Sequence, residues 1–378
     1  MPAEGMKMKH NGLFANGLIW FGAATSIAEM EAGSHCRGNL TAVLLGHALG
    51  CALLFATGLI GARTRQSAME TTTDAFGPTG SRFFAALNCL QLVGWASVMI
   101  AMGATAATHL FHQVGYASFC VIIGLLAAAS LVIGLRESAH VSIVVIALLA
   151  GLALILTRGL LTLPCADELP PALPFAQAFE LSVAMPLSWL PLISDYTKDA
   201  ERPAAASFVS ALVYSLTGVW MYVLGMMIAG TGPEAGVASA IIKTGIGIAG
   251  LLIVILSTGI SAFFDAYSTG ESCRTVFRHC SAKAIGILTC AVAVILALQG
   301  VMDRYTGFLR LIASVFAPMA AALLVSHYLV RRRRSLLNLM AWGAGILTYQ
   351  FADSSPLGPT VTAILVSSAF AFTGKVLK

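Results

Sequence analysis

Charge is what this chain has least of. Only 10% of its 378 residues are Asp, Glu, Lys or Arg, 58% are hydrophobic, and the mean hydropathy is +0.85. A soluble globular domain carries about 25% charged residues, so a water-facing fold is excluded. Cysteine pairing is also wanting. The eight cysteines are scattered, mostly within apolar runs, and none forms C-x-x-C, which argues against a disulfide framework or thiolate metal site and for small hydrophobes. The period-two alternation of transmembrane barrel strands is missing. So are H-E-x-x-H, G-x-S-x-G and Walker A sequences, and with them the usual signs of an enzyme. Gly245 to Gly250 spells G-x-G-x-x-G, yet it opens an apolar run with no strand before it, so the dinucleotide reading fails its context. Asn39-Leu40-Thr41 matches a glycosylation sequon, a pattern too short to carry weight.

What is present is a succession of uncharged runs of 18 or more residues, the mark of a polytopic helical membrane protein. Spans are expected near 13–33, 40–61, 83–108, 116–135, 139–158, 175–194, 205–230, 245–268, 283–299, 305–330, 336–352 and 358–374. The first follows Lys7, Lys9 and His10 with no small-residue cleavage motif behind it, and reads as a retained helix. With an inside N-terminus, 17 of the 22 basic residues fall in inside segments, which predicts an inner-membrane protein with both termini cytoplasmic. The Arg331–Arg334 run sits at such an exit, so nucleic-acid binding is not expected.

The proline-rich stretch 159–174 divides the chain. It gives a cytoplasmic tail at 1–12, five spans at 13–158, an extracytoplasmic linker, five more at 175–330, and two added helices with the C-terminus at 331–378. The first and sixth spans are both unusual. The first carries Thr25-Ser26 and the carboxylates Glu29 and Glu31 within membrane depth. An ionisable group there costs roughly 2.5–3.5 kcal/mol on insertion scales and is normally turned to a cavity or partner. The sixth carries Pro186-Leu187-Ser188-Trp189-Leu190-Pro191, and proline removes a backbone donor and clashes with the preceding turn. Two interrupted helices in corresponding positions of two five-helix halves point to a midplane site in an inverted-repeat transporter.

Two further spans carry polar faces. In the third, Asn88, Gln91 and Trp95 follow i, i+3, i+7, with Met99 and Met102 continuing that face. It suits either a flat heteroaromatic ligand or helix–helix packing. In the eighth, Ser257, Ser261 and Asp265 recur every four residues, with Thr258 beside the first. Hydroxyl oxygens suit a hard monovalent cation, although Ser and Thr also bond their own helix.

Several segments together resemble one family. Trp20, Ser26-Ile27, Gly33-Ser34, Leu45-Gly46-His47, Gly61-Ala62-Arg63-Thr64, Ser67-Ala68-Met69-Glu70, Gln91-Leu92-Val93-Gly94-Trp95 and Ser194-Asp195-Tyr196-Thr197-Lys198 resemble the nucleobase:cation symporters, which include cytosine and hydantoin permeases. The Ser-Ala-Met-Glu and Leu-Gln-Leu-Val-Gly-Trp wording is most similar to the branch of hydroxymethylpyrimidine transporters, whose substrate is a thiamin precursor. The resemblance implies about twelve helices in a 5+5 inverted repeat of the sodium-coupled amino-acid transporter type, with helices 1 and 6 broken. It implies a sodium site at Ala24, Ile27, Val254, Ser257 and Thr258. The stacking tryptophan falls on Trp95, and a second aromatic wall falls near Met185 and Pro186, one turn from Trp189. Polar residues of hydantoin permeases fall on Met99 and Phe263, which turns the expectation away from hydantoin. Glu29, next to Ala28, then becomes the polar anchor for an aminopyrimidine, with Gln91 beside it. The expected function is sodium symport of a pyrimidine across the lipid bilayer, with no other cofactor. The alternatives are proton coupling through Glu29, Glu180 or Asp265, cytosine or another nucleobase as substrate, and a non-transporting sensor.

Overall fold

A computed structural model of the chain describes residues 12–376, apart from 134–138, 168, 170–171, 233–235, 278, 353–354 and 356–357. Lys7, Lys9, Arg136, Arg278 and Lys378, used in the charge argument, lie outside the described residues. Among the described residues the regular structure is entirely helical.

Each of the twelve expected spans has its helix. The first is divided into α1 (Leu13–Ala24) and α2 (Ile27–His35), and α3 (Leu40–Thr64) is the second. A short α4 (Ala68–Thr71) leads into the long α5 (Thr73–Leu110), and α6 (Tyr116–Ile133) and α7 (Ala139–Leu161) complete the first half. The sixth span is divided into α8 (Phe175–Ser188) and α9 (Ile193–Thr197), and α10 (Pro203–Ala229) follows. A short α11 (Val237–Lys243) precedes α12 (Gly247–Val276) and α13 (Ala282–Leu298). The last three are α14 (Tyr305–Leu324), continued by a π-helical stretch Val325–Val330, then α15 (Ser335–Phe351) and α16 (Gly358–Phe372). Among the described residues six helical spans, counting α14 with its π-helical continuation as one, are long and apolar enough to cross a bilayer on their own. Large apolar side chains such as Leu125, Leu154, Leu216, Leu252 and Leu288 are exposed on the outer surface. Hydrocarbon, unlike water, solvates them at no cost.

The helices sort into two bodies. One joins α1, α2, α3, α8, α9 and α10; the other joins α5, α6, α12 and α13. The helices α14, α15 and α16 pack on one another and along α5 and α8. Within the first body α2 and α10 lie backbone to backbone. A Cβ on Gly33 would strike the main chain of Tyr222, and one on Gly225 would strike the Met30 carbonyl, so glycine is required at both. Such close approach is how helices associate where lipid removes the hydrophobic drive between them.

Candidate functional site

The break in the first span is Thr25-Ser26, and each hydroxyl answers one side of it. A helix leaves carbonyls unpaired at its C-terminus and N–H groups unpaired at its N-terminus. Thr25 Oγ1 donates to the Phe21 carbonyl at the end of α1 (2.8 Å). Ser26, extended at φ −134°, accepts from the Ala28 N–H at the start of α2 (3.0 Å). Glu29 thereby stands in the first turn of α2, where the helix dipole favours a carboxylate. In the sixth span Pro186 is accommodated inside α8, and the break falls at 189–192, the far edge of the expected Pro186–Pro191 window. Pro191 has no N–H to continue the helix. Its carbonyl accepts from Asn88 Nδ2 of α5 (3.1 Å).

The two breaks meet at a cavity between the bodies. Ser26, Ala28, Glu29, Met185, Ser188 and Trp189 line one wall, and Trp95, Met99, Ser261 and Asp265 line the other. Two carboxyl groups thus face the cavity, and no Lys, Arg or His lines it. Glu29 is buried. Its Oε1 accepts from the Tyr214 hydroxyl (2.5 Å), while Oε2 has no hydrogen-bond partner and stands 3.8 Å from His47 Nε2. The His47 tautomer follows from its other neighbour. Ser182 Oγ donates to the Val43 carbonyl (2.7 Å), so at 2.8 Å from His47 Nδ1 it accepts, and Nδ1 carries the hydrogen. Gly218 of α10 makes room for this ring, since a Cβ there would meet His47 Nε2. Across the cavity, the Asp265 carboxyl makes no hydrogen bond among the described residues, and Ser261 Oγ, one turn earlier, is buried without a partner.

Of the residues expected to bind substrate, Ala28, Glu29, Trp95, Met99, Met185 and Trp189 come together here. Gln91 and Phe263 do not line the cavity. Gln91 Nε2 donates to Asn88 Oδ1 (2.6 Å), and Phe263 packs on Phe264 and Tyr267. Ser26, Ser188, Ser261 and Asp265 line it although they were not expected as ligands. The four-residue stripe on the eighth span was the available signal for the last two.

Ala24, Ile27, Val254, Ser257 and Thr258 are all buried. Ser257 Oγ and Thr258 Oγ1 both donate to the Val254 carbonyl (3.3 and 2.7 Å), which leaves their lone pairs able to accept a cation. Ala24 ends α1, so its carbonyl belongs to the set that the helix leaves unpaired. Hydroxyl and carbonyl oxygens are the ligands that a small hard cation prefers.

Beyond the cavity, toward α9, polar contacts run both within and between the two bodies. Asn88 donates also to Ser272 Oγ (2.8 Å), and Tyr196 donates to the Phe264 carbonyl (3.1 Å). Lys198 pairs with Glu271, which Arg274 also approaches at 3.5 Å. Asp195 Oδ1 accepts from the Ala68 N–H of α4 (2.8 Å), and Arg65 holds the carbonyls of Lys198 and Ala200 (2.9 and 2.6 Å). Toward α14 the character changes. Ala32, Leu181 and Ala184 face Leu309, Ile312 and Phe316, and Phe308 lies edge-on to Trp95 with ring centroids 5.7 Å apart.

No protein-family model matches the chain, and no curated protein matches its sequence. Its fold is similar to that of solved transporters. Mhp1, a nucleobase-cation-symport-1 family transporter in a closed conformation with bromovinylhydantoin bound, is 19% identical, with 97% of this chain and 92% of that chain covered and a TM-score of 0.78. A Na+-coupled sialic acid symporter in a substrate-bound outward-open state is 14% identical, with coverage of 96% and 88% and a TM-score of 0.72. MhsT in complex with L-phenylalanine is 14% identical, with coverage of 96% and 97% and a TM-score of 0.61. The expected all-helical fold with broken first and sixth helices is the fold found.

Proposed function

We propose that this chain is a secondary active transporter that imports a hydroxymethylpyrimidine-like aminopyrimidine by sodium symport with alternating access. The observation that carries this reading is the free Oε2 of buried Glu29 at a cavity walled by Trp95 and Trp189. A buried acceptor without a partner costs about 1–3 kcal/mol, and a ligand N–H recovers it. Indole faces suit a flat ring, and a carboxylate suits its amino edge. Asp265 and Ser261, on the opposite wall, suit a second donor such as a hydroxymethyl group. The similarity in fold to a nucleobase-cation-symport-1 transporter supports the substrate class. The buried oxygens of Ala24, Ile27, Val254, Ser257 and Thr258 support sodium as the coupling ion. Ile27 and Glu29 share one turn of α2, so ion and substrate each favour the arrangement that binds the other. In this reading the halves 13–158 and 175–330 form the inverted repeat, 331–378 is appended, and both termini lie on the cytoplasmic side of an inner membrane.

The test is uptake of labelled hydroxymethylpyrimidine into proteoliposomes, with and without an inward sodium gradient. Accumulation driven by sodium is expected, reduced at least tenfold in Ser257→Ala and in Glu29→Gln. Uptake indifferent to sodium would remove the coupling ion, and uptake of cytosine alone would replace the substrate.

A further inference from the structure

A second built cleft lies far from the cavity, where α14 ends. It measures about 400 Å³ and is lined by Asp74 and Ala75 at the start of α5, by Ser326 and His327 of the π-helical stretch, and by Arg331, Arg332 and Arg333. Its walls are fixed. Tyr328 donates to the Ala56 carbonyl of α3 (2.8 Å), and Asn338 of α15 donates to the Ala75 carbonyl and to Ser326 Oγ (2.8 and 3.2 Å). The chain then turns at Arg331, which adopts the left-handed conformation at φ 56°. That conformation is costly for a residue with a side chain, and here it takes the arginine run off the helix axis and across the cleft.

We propose that this cleft binds the anionic phosphodiester headgroup of a membrane phospholipid. Three guanidinium groups and an imidazole face one carboxyl group, Asp74, and Arg331, Arg332 and Arg333 form no ion pair among the described residues. Guanidinium is the side chain whose fork matches phosphate oxygens. The source is a lipid rather than a free anion because the cleft adjoins lipid-facing surface. The span ends at Val330, and Leu329 and Leu336, on either side of the arginine run, are 49% and 73% exposed. Acyl chains lie along those leucines while the headgroup reaches the arginines.

The test is native mass spectrometry of the purified full chain released from nanodiscs of phosphatidylcholine with and without phosphatidylglycerol. Wild type retains phosphatidylglycerol in preference to phosphatidylcholine. R332Q/R333Q retains about 25-fold less, since each arginine near an anionic surface contributes about fivefold. D74N, which removes the one opposing charge and leaves the arginines intact, retains more. Inorganic phosphate added in excess does not displace the lipid. Equal retention by wild type and R332Q/R333Q, or weaker retention by D74N, overturns the site. Displacement by inorganic phosphate overturns the lipid as its occupant.

Discussion

Toward α9 the cavity ends in hydrogen bonds and ion pairs, and toward α14 it adjoins apolar side chains that line a second small space. Asn88, Asp195, Tyr196, Lys198 and Glu271 act at the first end; Ala32, Leu181, Ile312 and Phe316 act at the second. Each hydrogen bond adds only about 0.5–1.5 kcal/mol net, but a partner left buried and unpaired costs about 1–3 kcal/mol. The polar end therefore holds until several contacts part together and water enters to replace them. The apolar end has no such threshold. Its contacts cost about 25 cal/mol per Å² exposed, lost in small increments as area is uncovered. A cavity closed in these two ways has one end that opens as a unit and one that opens by degrees.

Three substitutions separate these behaviours, in decreasing order of effect. Asn88→Leu leaves the Pro191 carbonyl, the Ser272 hydroxyl and the Gln91 amide without their partner at once. At about 1–3 kcal/mol for each orphan, thermal unfolding should shift by many degrees and uptake should fall more than a hundredfold. A melting curve that overlays wild type would show that the polar end is not held by this amide. Lys198→Met removes the ammonium paired with Glu271 and keeps the largely exposed Arg274 at 3.5 Å. The expected change is about tenfold toward the state open at this end, a shift of about 1.4 kcal/mol, read as faster alkylation of Cys273. An unchanged rate would remove the ion pair from the latch. Ile312→Val trims one methyl beside existing space at the apolar end, worth about 0.5 kcal/mol, the low end of the usual range. Alkylation of a cysteine placed at Ala184 should quicken a few-fold at most. An effect equal to that of Asn88→Leu would erase the difference between the ends.

The sequence was most informative where a residue answers its own backbone. Thr25-Ser26 could be read as a break because two hydroxyls beside each other in an apolar run are what unpaired helix ends require, and the spans could be read because apolar length is a local property. Glu29 stood out because an acid at that depth needs a cavity. What stayed hidden depends on neighbours brought in from elsewhere in the chain. His47 looks like one polar residue in an apolar helix until α10 and α8 bring Tyr222 and Ser182 against its ring. The Asn88 and Gln91 spacing gives a face of α5 but not what that face meets. Asn88 turns to the Pro191 break, and Gln91 turns to Asn88. The eighth-span stripe divides likewise: Ser257 bonds its own helix, and Asp265, two turns on, faces the cavity.

The break at Thr25-Ser26 has a mechanical consequence. Each hydroxyl pairs within its own half of the span, Thr25 with α1 and Ser26 with α2, so the halves can tilt against each other without breaking a main-chain hydrogen bond. The pair is a pivot, and the half-helices are two levers upon it. On a lever, displacement grows with distance from the pivot. At 1.5 Å per residue Glu29 stands about 4.5 Å along α2 from Ser26, and His35 about 13.5 Å. For a given tilt the carboxyl group moves about a third as far as the end of its helix, so either end of the span can swing while the grip on a ligand at its centre shifts far less.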